Sequence, residues 1–221
     1  MLFSLWSAKA GAGCTAIAIA LANDLAIRRG SALLVDVGGD VPSCAGLDPA
    51  IDGLTDWLRA SRSSIDAMAR LEIAIGSNGV DLLPLGSAHR WSATRQASLL
   101  QLLAHDPRPV VVDVGHVPAR PQSCLERLRE RFVIDADQSF LVSRQCYLSM
   151  RRALASPLRS NGVILVRETE RALDAFDVAH LLSLPVVAQV DHDPLVSRAL
   201  DSGTFASRVP KLLGRQLRGV A

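Results

Sequence analysis

Much is missing from this chain of 221 residues, and each absence narrows what it does. It has no block of lysine and arginine. Its 24 basic and 22 acidic residues are scattered and leave a net charge of +2, so charge gives no support to nucleic-acid binding. Its four cysteines, Cys14, Cys44, Cys124 and Cys146, have neither metal-ligand nor paired spacing, which fits a reduced, cytoplasmic protein. His89, His105, His180 and His192 add no metal spacing. The longest uncharged stretch, Ala10–Asn23, falls short of the about 20 residues a bilayer crossing needs. No basic residue precedes it except Lys9, which sits in a glycine turn, so no secretory signal is expected. Gly11-Ala12-Gly13-Cys14 also lacks the leucine that precedes a lipoprotein cysteine. There is no internal repeat, low-complexity segment or clear linker.

What is present is a folded α/β pattern. Hydrophobic residues make up 49% of the chain, and the length suits a single domain over residues 1–221. Continuously apolar runs at Leu2–Trp6, Ala32–Asp36, Leu71–Ile75, Val80–Pro84, Pro109–Val114, Ser139–Val142, Gly162–Arg167 and Pro185–Val190 read as buried strands. Helical patterns alternate with them at 14–29, 51–60, 92–105, 121–131, 145–156, 174–183 and 193–201. Such alternation predicts a doubly wound, mostly parallel sheet with helices on both faces. The short gap Gly76–Gly79 predicts a hairpin and therefore one antiparallel strand.

In such sheets ligands bind at the C-terminal ends of the strands. Three loops fall there. Lys9-Ala10-Gly11-Ala12-Gly13-Cys14-Thr15-Ala16 follows the first strand and opens a helix. Glycines let backbone N–H groups approach a phosphate, and the helix N-terminus adds a positive dipole. Thr15 stands where a P-loop hydroxyl binds Mg²⁺. The second loop, Asp36-Val37-Gly38-Gly39-Asp40, follows Leu33-Leu34-Val35. The third, Asp113-Val114-Gly115-His116, follows Val110-Val111-Val112. An aspartate ending an apolar strand beside a phosphate loop can hold Mg²⁺ through water. Each aspartate alone could merely end a strand, and His116 alone reads as loop surface.

Together these residues resemble the ParA/MinD family of deviant P-loop ATPases, whose loop reads Lys-Gly-Gly-x-Gly-Lys-[Thr/Ser]. The resemblance covers nearly the whole chain, down to Pro185–Val187 and Asp191–Val196 as a late strand and following helix. It implies an ATP/ADP and Mg²⁺ site at residues 9–16, with Thr15, Asp36 and Asp113 as metal ligands. It also implies a homodimer in which Lys9, the family's signature lysine, reaches the partner's nucleotide, and it makes Lys9 and Asp36 the catalytic candidates. The implied role is the positioning of a partner such as chromosome, division or secretion and pilus machinery.

The departures from the family are specific. Cys14 replaces the loop lysine, and it reads as a small residue filling a vacated place rather than a reactive thiol. Gly38 replaces the second aspartate of Asp-x-Asp, with Asp40 two residues late, and Arg167-Glu168 stands where the family often has a base-reading asparagine. Slow or absent hydrolysis is therefore expected. Two alternatives stay open in the sequence. One is a pseudo-ATPase scaffold that binds no nucleotide. The other is an NAD(P)-binding oxidoreductase, because Gly11–Ala16 also fits G-x-G-x-x-G/A with Asp36 as the ribose-binding acid. Finally, Val209, Leu212, Leu213, Leu217 and Val220, interleaved with Lys211, Arg215 and Arg218, give residues 208–221 an amphipathic helical pattern. Such a tail either packs on the core or lies on a membrane. The twin arginines Arg28-Arg29 and Arg151-Arg152 read as solvated helix faces.

Overall fold

Strands that are apolar on both faces need helices on both sides, and the chain supplies them. The computed structural model of the chain describes residues 1–60, 64–213, 216, 217, 219 and 220. Eight strands run in chain order as β1 (Leu2–Ser7), β2 (Ala32–Asp36), β3 (Ile73–Ile75), β4 (Val80–Leu83), β5 (Val110–His116), β6 (Gln138–Arg144), β7 (Gly162–Arg167) and β8 (Val186–Asp191). Their order across the sheet is β3-β4-β2-β5-β1-β6-β7-β8. All pairs are parallel except the β3–β4 hairpin. The expected doubly wound sheet and its single antiparallel strand are both present.

Alternate residues of each strand feed two cores. Phe3, Leu5, Leu34 and Val111 face one layer of helices. That layer holds α1 (Cys14–Arg29), the short α2 (Val41–Cys44), and α9 (Pro194–Asp201) and α10 (Phe205–Leu212) from the end of the chain. Leu2, Trp6, Leu33, Val35, Val110 and Val112 face the other layer. Its helices are α3 (Leu54–Arg59), α4 (Ile65–Ala69), α5 (Ala93–Ala104), α6 (Cys124–Asp135), α7 (Tyr147–Leu154) and α8 (Ala175–Leu182). Helix α1 is buried along most of its length, and Ala16, Ala18, Ala20 and Ala22 are small enough to let it lie close against the sheet.

The helix boundaries have local causes. Helix α6 begins at Cys124 rather than 121 because Ser123 and Glu126 form a capping box, each side chain accepting the other's backbone N–H. It then runs on to Asp135, carrying Phe132 and Val133 into the core. Helices α2 and α4 carry too few periodic residues to stand out in the sequence. At the end of the chain, Phe205, Val209, Leu213, Leu217 and Val220 are all buried in the α1 layer. The described apolar residues of the amphipathic tail thus pack on the core. Gly214, Arg215, Arg218 and Ala221, and the side chains of Lys211 and Leu212, lie outside the described residues. Among the described residues no helix is long and apolar enough to cross a membrane.

Candidate nucleotide site

β1 lies between β5 and β6, and β5 separates it from β2. The C-terminal ends of β1, β5 and β2 therefore sit side by side, and the three loops that follow them meet. They enclose a cleft of about 470 Å³ lined by Gly11–Ala16 on one side and Gly38, Asp40, Gly115, His116 and Arg129 on the other.

The first wall is a cradle of backbone. Gly13 is the residue before α1 and adopts a left-handed conformation, φ 94°, that other residues rarely reach. No side chain caps the helix, and no acidic residue lies in its first turn. Its leading N–H groups and the positive end of its dipole are left for an anion. Cys14 adds nothing to that positive field. Its thiol is buried and donates to the Leu5 carbonyl at 3.0 Å. Burial, then the charge of Asp113, push its pKa well above the ordinary value, so it stays a neutral thiol. Lys9 is half-buried and bonds to the Ala10 carbonyl at 3.3 Å, close enough for its charge to be felt at Cys146.

The second wall carries two carboxyl groups. Asp36 and Asp113 are paired residues of adjacent parallel strands, and both are fully buried. Asp36 Oδ1 accepts the Gly39 N–H at 2.6 Å, and Asp113 Oδ1 accepts the Gly115 N–H at 3.1 Å. The remaining oxygen of each, Oδ2, is buried with no hydrogen-bond partner among the described residues. Burial, then repulsion from Asp113, raise the pKa of Asp36 to about 7. Burial also raises Asp113, opposed by the Thr15 hydroxyl, the Cys14 thiol and the Gly115 amide. Two carboxyl groups with unmet oxygens, beside a half-buried threonine hydroxyl, form a donor set of the hard oxygen type that suits Mg²⁺.

The structure thus lines one cleft with residues 10–16 and sets Asp36 and Asp113 buried behind its wall, with Lys9 next to Ala10 but outside the lining. Gly38 lies against Asp113, where a Cβ would stand 3.0 Å from Oδ2. Asp40 and His116 line the same cleft. Burial, then the charges of Arg152 and Arg129, keep His116 below its usual pKa and therefore neutral. Arg129 was not legible as a site residue. It sits in Leu125–Phe132 of α6, a pattern that reads as an amphipathic helix with a charged outer face. Beyond the cradle, a second hollow of about 210 Å³ is lined by Gly13, Ile17, Val166, Val190, Val196 and Leu200, with Arg144 at its edge. Arg167 does not enter it, because it is held by Asp191 at 2.6 Å. Glu168 is held by Arg144 and Arg171.

The strand order also bears on the dinucleotide alternative. In that fold the second strand lies directly beside the first, which places its acid at the ribose. Here β5 intervenes and puts Asp113 next to β1.

No protein-family model matches the chain, and no curated protein sequence does. Solved structures do. A ParA family ATPase from Chlorobium tepidum superposes with a TM-score of 0.78 at 20% identity, covering 98% of this chain and 95% of that one. The septum site-determining protein MinD from Pyrococcus horikoshii, complexed with Mg-ADP, gives 0.70 at 17%, covering 99% and 97%. A Cyanothece McdA variant in complex with ATP gives 0.63 at 15%, covering 96% of each chain. Over essentially its whole length, the chain has the fold of the ParA and MinD P-loop ATPases.

Proposed function

We propose that this chain is a ParA/MinD-like nucleotide-binding protein that organises or positions a protein partner as a dimer, with weak or absent ATP hydrolysis. The observation that carries the reading is an uncapped helix N-terminus lining a cleft, with two buried carboxyl groups behind it that have no cation bonded to them among the described residues. The cradle amides would take the phosphates. Thr15, Asp36 and Asp113 would hold Mg²⁺, directly or through water, and the ion would neutralise charge on the phosphate oxygens. The apolar hollow beside Gly13 offers a seat for a base. The same fold holds Mg-ADP and ATP in two of its relatives, which supports nucleotide as the ligand.

Hydrolysis is weak in this reading because two groups that would act on the γ-phosphate are gone. Cys14 contributes a neutral thiol turned toward the strand, and Gly38 contributes no carboxylate. Phosphoryl transfer depends on positioned charge, so these losses cost orders of magnitude in rate. The dimer is supported by Lys9, which stands just ahead of the cradle, and by exposed Tyr147 and Leu148 next to Cys146, where the charge of Lys9 is felt. The two subunits would meet across a two-fold axis.

The test is a calorimetric titration with ATP, ADP and NAD(P)H, with and without Mg²⁺, alongside a phosphate-release assay. ATP and ADP should bind in a Mg²⁺-dependent way, NAD(P)H should not, and turnover should be at or below detection. Brisk Mg²⁺-dependent turnover would refute the weak-hydrolysis reading. Binding of NAD(P)H alone would restore the oxidoreductase. Binding of none would leave the scaffold that has lost its ligand.

A further inference from the structure

We infer that Arg129 of α6 supplies the phosphate-directed positive charge that the loop has lost at Cys14, and that it does so from the opposite wall of the cleft. The inference rests on the nucleotide-binding reading above. Among the described residues lining the cleft, Arg129 is the one lysine or arginine. The remaining charged groups there are Asp40 and Asp201, with Asp36 and Asp113 buried behind. A polyphosphate entering such a cleft needs a cation beyond the backbone amides, and the guanidinium is the group in place to supply it.

Its placement is built rather than incidental. Nε donates to the Val37 carbonyl at 2.9 Å and Nη2 to the Gly38 carbonyl at 3.1 Å, both in the loop after β2. Nη1 reaches the His116 carbonyl at 3.4 Å, at the end of β5. One side chain thus spans the two aspartate-bearing segments. Those segments are already joined by the Val37 and Gly38 N–H groups donating to the Asp113 carbonyl at 2.8 and 2.9 Å. A guanidinium has five N–H donors, and three are used here. Among the described residues the other two have no bonded partner, which leaves them to an anion in the cleft. The charge of Arg129 also reaches across it, since it opposes the rise in the Cys14 pKa. Helix α6 holds the side chain from below, anchored by buried Leu128 and Phe132 and by the Ser123–Glu126 box.

Anion binding would therefore be read by a residue that also sets the spacing of the two aspartate loops. Arg129 is a binding and positioning residue in one. The test uses the full chain and Mg-ADP as the probe. Four variants are titrated: native, Arg129→Gln, Arg129→Lys, and Arg129→Gln with Cys14→Lys. Glutamine removes the charge and keeps two N–H donors on a shorter side chain, so the Cys14→Lys double variant is what separates charge from clamp. Affinity should fall at least tenfold in Arg129→Gln and less in Arg129→Lys. It should return toward native in the double variant, which restores a cation from the other wall. The salt dependence of binding should flatten in Arg129→Gln alone.

The thermal midpoint of each variant is measured alongside. Arg129→Gln binding Mg-ADP as the native chain does overturns the inference. So does a double variant that recovers no affinity, because a purely structural clamp would not be replaced by a lysine on the facing loop. If Arg129→Gln fails to fold, the Arg129→Lys chain carries the test: affinity and salt dependence both equal to native overturn the inference, and a shift in either supports it. A native chain that binds neither ATP nor ADP overturns the parent reading and this one with it. A native chain that binds, beside variants that bind equally, overturns this one alone.

Discussion

Two places along β5 solve the same electrostatic problem in opposite ways. At its start, Arg108 gathers three carboxylates: Glu72 at 2.8 Å, Asp81 at 3.0 Å and Asp106 at 2.9 Å. Burial would lift Asp106, yet hydrogen bonds and charge from Arg108 hold its carboxyl below the usual range. The acids in turn raise the arginine's own pKa. Farther along the strand, Asp36 and Asp113 are more deeply buried, stand side by side, and have no cation bonded to them among the described residues. Both clusters are acidic, and one is satisfied within the chain. The lesson is that acidity alone marks nothing. A buried acid whose partner is already supplied is architecture, and one whose partner is missing is a place for something that arrives from solution.

Arg108→Ala should separate the two clusters most sharply. Removing the cation from three partly buried carboxylates should cost about 2–3 kcal/mol in urea unfolding, while nucleotide affinity in the folded fraction stays near native. A loss under about 0.5 kcal/mol would mean that the start of β5 is no better satisfied than an exposed surface pair. At the cleft, Cys14→Lys should raise ATP affinity about tenfold, or about 1.4 kcal/mol, measured by calorimetry. Unchanged affinity would show that the loop does not hold phosphates. The added Gly38→Asp should not restore brisk turnover by itself, because its Cβ would crowd Asp113 Oδ2.

A smaller effect concerns pH. Asp36 in the folded chain keeps a proton up to about pH 7, whereas an unfolded aspartate loses it near 3.8. Between those values the folded state binds more protons, so this group's contribution to stability falls as pH rises from about 4 to about 7. The proton belongs to the Asp36–Asp113 pair rather than to either residue. Without Mg²⁺ and nucleotide, Asp36→Asn should therefore raise the thermal midpoint by more degrees at pH 8 than at pH 5. Equal gains at both values would mean that the pair carries no proton near neutrality. The smallest stability effect belongs to Lys9→Ala, expected within about 0.5 kcal/mol because Lys9 makes one exposed bond. Its consequence should instead appear in sedimentation, as loss of an ATP-dependent dimer. A dimer indifferent to both ATP and Lys9→Ala would favour the scaffold.

Which parts of this could be read from the residues follows from how local each signal is. The strands were legible because Val110-Val111-Val112 and Leu33-Leu34-Val35 are too apolar and too short for anything but buried strands. Gly11 and Gly13 advertised the cradle, and Asp36 and Asp113 stood out as charges ending apolar runs. The sequence did not reveal that these two acids are neighbours, because β2 and β5 meet only once the crossover is known. Arg129 and Arg108 were hidden for a related reason. Each looks like ordinary surface charge, and each acquires its role from backbone or acids up to about ninety residues away. Helices α2 and α4 were missed because four or five residues are too few to show a period.

The central position of β1 has a consequence for how the protein is made. It is synthesised before either of its partners, β5 and β6, which follow more than a hundred residues later. At translation rates of about 5–20 residues per second, a largely apolar strand waits roughly 5–20 seconds with both edges open. Pairing so distant in sequence is also slow to form once the chain is complete. The glycine loop hangs directly from this strand, so no ligand of the cleft can assist the early steps; the cleft comes into being only when β5 slots between β1 and β2. A nascent chain stalled before Val110 should accordingly be sticky and dependent on chaperones, and ATP should protect it no better than buffer.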